Sequence, residues 1–337
     1  MTAPPFDPER LRRYLTGELP GLAGDMAFAP IGGGQSNPTY RLDFPDRRLV
    51  LRKQPPGELL PSAHAVDREY RVQRALAGSG VPVPAMLLWC EDRDVVGTPF
   101  YVMAWLDGRV FHDSALPDLT PKDRAGVYDS MSATLAALHR IDWQAAGLAD
   151  FGRHGGYFAR QIRRWSQQYE LSRTRDVPAI ERLIDWLPVH LLDDDETAIC
   201  HGDYRLGNLL LHPTEPRVIA VLDWELSTLG HPLADLAFNC ILYHSTAAEY
   251  GGVLGLDLAG FGIPHEAAYL RGYYERTGRS DCVTPWHLAF ALFRFAVIFE
   301  GIADRAAKGN AAAGAQASAV AHLSEAFARR AVELVGI

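Results

Sequence analysis

The chain is poor in cysteine and lacks blocks of positive charge. Its four cysteines, Cys90, Cys200, Cys240 and Cys282, lie at least 40 residues apart and form no CxxC pair. This spacing argues against a zinc ribbon or a dense disulfide framework and predicts reduced, mostly buried thiols. The net charge is −8, with 33 basic and 41 acidic residues and no basic cluster that dominates the chain. We therefore expect no nucleic-acid partner, because such partners usually require a basic surface.

Signals for export or membrane insertion are also missing. The first ten residues, "MTAPPFDPER", contain neither a basic nor an apolar leader segment, and the most apolar late stretch, residues 287–303, contains Arg294 and Glu300. A membrane span of that length rarely tolerates two charged residues. We expect a cytoplasmic protein without a membrane partner.

The first third of the chain has the pattern of a β-rich lobe with one main helix. Asp7 and Pro8 predict the start of a short helix, and "IGGGQSNPTYRLDF", "RRLVLRK", "AMLLWC" and "FYVMAWL" predict strands, the last two joined by a polar turn. A helix is expected over residues 62–76, where "AGSG" follows as a stop signal. We place this lobe at residues 1–105.

Helical segments dominate from residue 106 to 337. Thr120, Pro121 and Asp123 form a helix-start signal before "RAGVYDSMSATLAALHRI". One β patch interrupts the helices, where "NLLL" and "VIAVLD" predict a hairpin. The fold class is therefore α+β, with a small β-rich lobe followed by a larger helical lobe.

The loops at the two ends of this hairpin carry three oxygen-bearing side chains. Asp203 and Asn208 lie in "HGDYRLGN", and Asp223 lies in "VLDWE". Such residues often serve only as turn residues that satisfy local backbone groups. Their joint placement around one hairpin instead favours a hard-cation site next to a carboxylate that can accept a proton.

This combination resembles the catalytic and metal loops of the aminoglycoside phosphotransferase and choline kinase group, whose fold is protein-kinase-like. The downstream run "GHPLADLA" is also similar, and the resemblance extends over nearly the whole chain. It implies that Asp203 orients or deprotonates an acceptor hydroxyl, that His201 supports the loop and that Asp235 orients it by hydrogen bonding. It further implies ATP as phosphoryl donor and Mg²⁺ bound by Asn208 and Asp223.

Two positions in these loops differ from the protein-kinase pattern. Gly202 stands where arginine is usual, and "DWE" replaces the DFG triplet. The resemblance to the small-molecule branch accounts for both, and the missing arginine implies activity without control by phosphorylation. Glu225 is either a further metal contact or a solvated side chain.

The resemblance also implies a nucleotide site in the first lobe. A glycine-rich turn between two strands would cover the phosphates, although Asn37 occupies the place of the third glycine, and the contacts would come from Gly33, Gly34 and Ser36. Strand alternation puts Arg52 at the position of the phosphate-pairing lysine, with Lys53 on the opposite face and Glu69 as the helical partner. Alternatively, Arg52 and Glu69 form a surface ion pair of little consequence.

The strand that leaves the first lobe is expected to provide the hinge. Met103 would be the gatekeeper, and the backbones of Ala104 and Leu106 would bind the adenine edge.

The partner of this site would be a small-molecule hydroxyl acceptor. Residues 151–175 contain only one acid, Glu170, but six arginines: Arg153, Arg160, Arg163, Arg164, Arg173 and Arg175. A basic cap favours an anionic acceptor such as a hydroxy acid, a phosphorylated alcohol or an acyl-coenzyme A. The segment resembles its counterpart in kinase-like domains fused to acyl-CoA dehydrogenases, which implies a hydroxyacyl acceptor. Alternatively, these arginines form a solvated helix face.

Other functions remain open from the sequence. The first is a non-catalytic nucleotide-binding module, which Arg52 and Asn37 favour, and the second is a true aminoglycoside kinase. The third is a metal-dependent hydrolase based on His201, Asp203 and Asp223, for which further ligands would have to come from His212, His231 and His244. The oligomeric state stays open.

Overall fold

The computed structural model describes residues 6–32, 37–57, 64–192, 195–308 and 314–337. Its first lobe is a five-stranded antiparallel sheet with the order β1-β2-β3-β5-β4. In chain order its elements are α1 (Pro8–Glu18), β1 (Ala27–Pro30), β2 (Thr39–Asp43), β3 (Arg48–Lys53), α2 (Val66–Leu76), β4 (Met86–Cys90), α3 (Arg93–Val96) and β5 (Phe100–Ala104).

The second lobe is mainly helical and carries two small two-stranded sheets, β6-β9 and β7-β8. Its elements are α4 (Pro121–His139), α5 (Tyr157–Ser172), α6 (Pro178–Val189), β6 (Ala198–Cys200), β7 (Leu209–Leu211), β8 (Val218–Val221), β9 (Thr228–Gly230), α7 (Pro232–Asn239), α8 (Ala247–Tyr250), α9 (Leu258–Phe261), α10 (Glu266–Thr277), α11 (Pro285–Ala307) and α12 (Gly314–Val335). The fold is therefore the bilobal α+β arrangement expected from the sequence.

Helix starts follow the local signals in the sequence. The Asp7 carboxylate accepts the N–H groups of Glu9 and Arg10 at the start of α1, and the Thr120 hydroxyl accepts the Asp123 N–H at the start of α4. Each cap satisfies backbone donors that have no partner within the helix. Both predicted starts are confirmed.

The segment between β4 and β5 differs from the prediction of a simple polar turn. Residues 93–96 form α3, in which the Asp92 side chain accepts the Asp94 N–H and Gly97 ends the turn at φ 87°. Val95 and Val96 are buried against the first lobe's core. A short helix forms here because it buries two valines that an open turn would expose.

Three apolar clusters hold the elements together. One joins α1 to the sheet, one joins α5, α6, α7, α11 and α12, and the third lies around α4 and the β7-β8 hairpin. Val72 and Leu76 of α2 belong to this third cluster, so α2 packs on the second lobe as well as on the sheet.

Helix α11 is the one described helix that is long and apolar enough to cross a membrane, and 89% of its apolar window is buried inside the protein. The four cysteines are free, and only Cys282 is exposed, as predicted.

Candidate active site

The stretch 201–208 leaves β6, passes through a 3₁₀ turn at Leu206–Asn208 and enters β7. Gly202 adopts φ +81°, and a Cβ at this position would lie 2.5 Å from the Leu226 carbonyl oxygen. Both the backbone angle and the close approach require glycine. An arginine, which the protein-kinase pattern has here, does not fit this loop conformation.

Asp235, at the start of α7, holds the first part of the loop. Its two carboxylate oxygens accept the N–H groups of His201 at 2.7 Å and Gly202 at 2.9 Å, and His139 Nε2 lies 3.3 Å from the same carboxylate. Burial acts to raise the pKa of Asp235, but the hydrogen bond and charge of His139 and the Gly202 N–H outweigh it, so that its pKa is lowered. The carboxylate is therefore stable as a buried anion that orients the loop.

His201 connects this loop to the hairpin. Its Nδ1 accepts the Asp203 N–H at 3.2 Å, so Nε2 carries the hydrogen and donates to the Leu222 carbonyl at 2.9 Å. The ring is fully buried and packs on Trp224. This is the supporting position that the resemblance implies.

Asp203 is held through one of its two carboxylate oxygens. Asn208 Nδ2 donates to Oδ2 at 2.7 Å and to the Asp203 carbonyl at 2.8 Å. Arg205 Nε donates to the same Oδ2 at 3.3 Å. Among the described residues, no group donates to Asp203 Oδ1 or to Asn208 Oδ1. One carboxylate oxygen and one amide oxygen are thus available for other ligands.

Asp223 follows the hairpin and is brought beside Asn208 by it. The Leu222 N–H donates to the Asn208 carbonyl at 2.8 Å, which places the start of the second loop next to the end of the first. Asp223 itself has φ 63°, a left-handed conformation that is uncommon for non-glycine residues, although aspartate adopts it more readily than most. Burial acts to lower the pKa of Arg205, but Asp203 and Asp223 both act to raise it, and the net shift is upward. The negative charges of both aspartates therefore act on the Arg205 guanidinium, which contacts Asp203 at 3.3 Å.

In the first lobe, Arg52 is the basic residue that reaches Asp223. Its Nε lies 2.9 Å from Glu69 Oε2, and its Nη2 lies 2.8 Å from Asp223 Oδ1 and 4.0 Å from Glu225 Oε2. Lys53 points the other way and donates to the Val96 carbonyl. The alternation predicted along β3 and the ion pair between Arg52 and Glu69 are confirmed, and the pair is buried rather than on the surface.

Asn37, in the place of a third glycine, has a structural contact. Its Nδ2 donates to Glu69 Oε1 at 2.6 Å, and its Oδ1 lies 3.1 Å from His64 Nδ1. The substitution thus helps to satisfy the buried Glu69 carboxylate. Three predicted phosphate contacts, Gly33, Gly34 and Ser36, lie outside the described residues.

The hinge residues lie at the end of β5. Met103 pairs with Val50 of β3 and Met86 of β4, and the Ala104 N–H donates to the Ala85 carbonyl at 2.9 Å. Ala104 can therefore offer only its carbonyl to a ligand. Leu106 makes no hydrogen bond within the described chain, which leaves both of its backbone groups available.

The basic segment on and around α5 separates into arginines with different partners. Arg173 forms ion pairs with Glu170, Asp176 and Glu181, and Arg175 pairs with Glu325. The guanidinium of Arg160 binds the carbonyls of Arg153 and His154, and Arg163 is exposed. These side chains fit the solvated-face interpretation.

Sequence reasoning missed two arginines at the loop. Arg205 was overlooked although it lies two residues after Asp203. Arg294 of α11 donates through Nη2 to the Gly202 carbonyl, and it was considered only as a charge that disfavours a membrane span. A basic residue inside a long apolar helix needs a buried partner, and this was the signal that could have found it.

The histidines that a hydrolase would need are engaged elsewhere. His212 Nδ1 accepts the N–H groups of Thr214 and Glu215, His231 caps α7, and His244 pairs with Glu266 at 3.0 Å. In the described parts of the chain, the cluster of side chains that could bind a metal ion consists of His139, Cys200 and Asp235, whose ligand atoms lie within 4.8 Å of one another. Burial raises the pKa of the Cys200 thiol, and Asp235 is already engaged by the loop, so this group is a hydrogen-bonded support.

Comparisons with known proteins agree with this geometry. The model of the phosphotransferase enzyme family APH matches residues 27–273. Mouse acyl-CoA dehydrogenase family member 10 is 44% identical over 308 residues, which cover 90% of this chain and 29% of that protein. Human acyl-CoA dehydrogenase family member 11 is 40% identical over 312 residues, which cover 90% of this chain and 40% of that protein. The chain thus spans less than half the length of these curated relatives.

Solved structures show the same fold. A protein from Ralstonia eutropha, assigned as an aminoglycoside phosphotransferase, is 44% identical to this chain, and the two structures superpose with a TM-score of 0.87. The match covers 97% of this chain and 99% of the Ralstonia chain. Aminoglycoside phosphotransferase APH(4)-Ia, in complex with AMP-PNP and hygromycin B, is 16% identical with a TM-score of 0.61 and covers 95% of this chain and 98% of its own. At that identity the second likeness concerns the fold alone.

Proposed function

Because this chain belongs to the phosphotransferase enzyme family, we propose that it transfers the γ-phosphoryl group of ATP to a hydroxyl of a small anionic metabolite. A hydroxy acid or a hydroxyacyl-coenzyme A has the required chemistry. The carrying observation is the pairing of Asp203 with Asn208 across the loop, next to Asp223 at the end of the hairpin.

The oxygen atoms that remain available match the needs of this reaction. Asp203 Oδ1 accepts the proton of the acceptor hydroxyl while Oδ2 stays fixed by Asn208 and Arg205. The acceptor oxygen then forms a bond to the γ-phosphorus, and the bond from that phosphorus to the ADP oxygen breaks. Asp203 therefore orients the nucleophile and removes its proton.

The donor set also fits a magnesium ion. Asn208 Oδ1 and the second oxygen of Asp223 are hard ligands, and Mg²⁺ prefers one or two such protein oxygens together with water and phosphate. The ion would neutralise charge on the β- and γ-phosphates. Arg52 already holds Asp223 at 2.8 Å and places its guanidinium where it can also bind a phosphate oxygen. The adenine would bind the Ala104 carbonyl and the Leu106 backbone, beside Met103.

Thermal melting with Mg-ATP tests this proposal directly. A ligand that binds only the native state stabilises it by about 2.7 kcal/mol at a hundred times its Kd. We expect the wild type and Asp203→Ala to show the shift and Asp223→Ala to lose it. Absence of a shift in the wild type would argue strongly against ATP as donor.

An ADP-release assay separates the kinase from the alternatives. The acceptors are aminoglycosides, choline, sugars, hydroxy acids and CoA-linked hydroxy acids, and both aspartate variants should be inactive with any accepted substrate. A Mg-ATP shift without turnover on every acceptor would favour the non-catalytic module. Turnover confined to the cationic acceptors would instead favour an aminoglycoside kinase.

A further inference from the structure

A cavity of about 410 Å³ lies beside the catalytic loop. It is open to solvent on one side and is lined by residues of α2, α5 and α11, by Gly202 of the loop and by the segment that follows Asp223. Three arginines line it, Arg68, Arg164 and Arg294, against one acid, Glu225. The cavity is therefore positively charged, in contrast to the net charge of the whole chain.

Arg294 is the most deeply buried of these cations. It is 6% exposed, donates to the Gly202 carbonyl and has its guanidinium 4.7 Å from the ring centre of Phe238 and 5.4 Å from that of Trp165. Its Nε has no hydrogen-bond partner. No carboxylate of the described residues forms an ion pair with it.

Arg164 and Arg68 face the same space without an acidic partner. The Arg164 guanidinium lies 5.7 Å from the Trp165 ring centre, and within the described ranges it forms neither a hydrogen bond nor an ion pair. Arg68 donates to the carbonyls of Phe151 and Ser227, and burial lowers its pKa. Tyr157, Arg164 and Arg294 line the same cavity, so the two cations border one space.

The burial of Arg294 is costly unless an anion or another polar ligand completes its environment, whereas Arg164 is exposed at the edge of the cavity. A buried charge loses the solvation of water, and only a counter-ion or a polar ligand restores that free energy. Glu225, the acid in the lining, lies 4.0 Å from Arg52. Other arginines from the same part of the chain, Arg173 and Arg175, do have acidic partners. Among the arginines of the cavity, Arg294 is the one that is buried without a carboxylate partner in the described part of the chain.

We propose that this cavity binds the anionic end of the acceptor, a carboxylate or a phosphate, through Arg164 and Arg294. The assignment rests on the proposed kinase function, since it places the acceptor's hydroxyl at Asp203, the residue that follows Gly202. The acceptor is therefore a molecule with a hydroxyl at one end and a carboxylate or phosphate at the other. Cationic aminoglycosides are poor ligands for this site.

The two arginines differ in their expected kinetic effects. Arg164 forms no hydrogen bond to the catalytic loop, so its loss raises KM. Arg294 also holds the Gly202 carbonyl, so its loss both weakens binding and misplaces Asp203. Arg294 is in this respect a positioning residue as well as a binding residue, and a fall in kcat distinguishes it from Arg164.

The binding test uses inorganic phosphate and acetate as probes, at constant ionic strength and without nucleotide. We expect phosphate, acetate or both to raise the melting temperature of the wild type and of Arg163→Gln, whose side chain is exposed like that of Arg164 but does not line the cavity. Arg164→Gln should lose the shift. A response to only one probe identifies which anionic group the site prefers. An equal shift in both variants, or no shift in the wild type, would overturn the proposal.

The kinetic test uses the anionic acceptor with the highest turnover. Loss of a hydrogen bond to a charged group corresponds to about a ten- to hundredfold rise in KM for Arg164→Gln, with kcat within about twofold of wild type. Arg294→Lys should lower kcat as well, and its melting curve shows whether it folds. Equal KM values for Arg163→Gln and Arg164→Gln would refute the site.

The two proposals fail separately in these experiments. A phosphate shift that depends on Arg164 without any Mg-ATP shift would remove the kinase function but keep the anion site. A Mg-ATP shift and turnover that are unaffected by Arg164→Gln would keep the kinase function and remove the anion site.

Discussion

Replacement of Asp235 by asparagine tests the support of the catalytic loop. The carboxylate accepts the N–H groups of His201 and Gly202 on separate oxygens, at 2.7 and 2.9 Å, and also faces His139. Asparagine has nearly the same shape but offers only one acceptor oxygen. One backbone N–H will therefore face an amide donor inside the protein.

The expected cost follows from these contacts. A hydrogen bond to a charged group contributes about 1.5–3 kcal/mol, and a buried unsatisfied donor costs about 1–3 kcal/mol. We expect Asp235→Asn to lower the free energy of unfolding by about 3 kcal/mol at pH 7, measured by urea unfolding. Because the loop carries Asp203, kcat should also fall, while the Mg-ATP melting shift remains. Asp46→Asn, in an exposed turn, is the control and should change neither quantity.

The pH dependence of the free energy of unfolding gives a second measure of the role of the Asp235 carboxylate. The pKa of Asp235 is lowered in the folded protein, so its ionised form stabilises the fold above the unfolded-state pKa of about 4. That contribution is lost as the pH falls through the folded-state pKa, and asparagine lacks it at every pH. The stability gap between wild type and Asp235→Asn should therefore narrow below about pH 4. A variant that unfolds like wild type at pH 7, or a gap that widens in acid, would refute this account.

Two further predictions concern Arg52 and Gly202. Arg52→Met leaves the buried Glu69 carboxylate without its cation and should lower the free energy of unfolding by about 3–5 kcal/mol. Arg52→Lys should recover part of this loss. Equal urea midpoints for the wild type and both variants would contradict the prediction. Gly202→Ala forces a side chain into φ +81° and against the Leu226 carbonyl and should cost at least about 1–2 kcal/mol. Gly17→Ala, in an open position of α1, should instead raise the free energy of unfolding by about 0.5–1 kcal/mol. If both glycine variants change the free energy of unfolding in the same direction, the reasoning is wrong.

Elements whose formation depends on neighbouring residues were predictable from the sequence. The caps at Asp7 and Thr120 form with residues two or three positions away, and the β7-β8 hairpin joins strands seven residues apart. Such signals act within one turn or one hairpin, so the pattern contains the information needed. The predicted helix over residues 62–76 begins at Val66 in the described part of the chain, because His64 has φ 58° and the N-cap Ala65 makes no side-chain cap hydrogen bond, and residues 62 and 63 lie outside the described residues.

The pairing of β6 with β9 was not predictable. The register joins Ala198 to Gly230 and Cys200 to Thr228, and each strand has only three residues. A three-residue segment is too short for an alternating pattern to be recognised. The pairing matters for the site because it aligns the entry to the catalytic loop with the segment that follows Asp223.

The candidate site was predictable to the extent that its residues lie close in sequence. Asp203 and Asn208 share one loop, and the hairpin that separates them from Asp223 could be recognised from its pattern. Arg294 lies 92 residues after Gly202, and its contact depends on how α11 packs against α5 and α7, which residue spacing does not reveal. The same holds for the cavity, whose lining comes from separate parts of the chain.

Although position 202 is a glycine, the guanidinium of another residue contacts the loop at this position. Arg294 donates to the Gly202 carbonyl and Asp235 accepts the Gly202 N–H, so both polar groups of this residue are held by buried side chains of opposite charge. Where protein kinases position this region through phosphorylation of a separate loop, the present loop is fixed by contacts within the chain. We therefore expect the catalytic loop to be ordered without covalent modification. Under the proposal of an anion site in the neighbouring cavity, the bound anion contacts the same arginine that holds Gly202, which couples acceptor binding to the position of the loop.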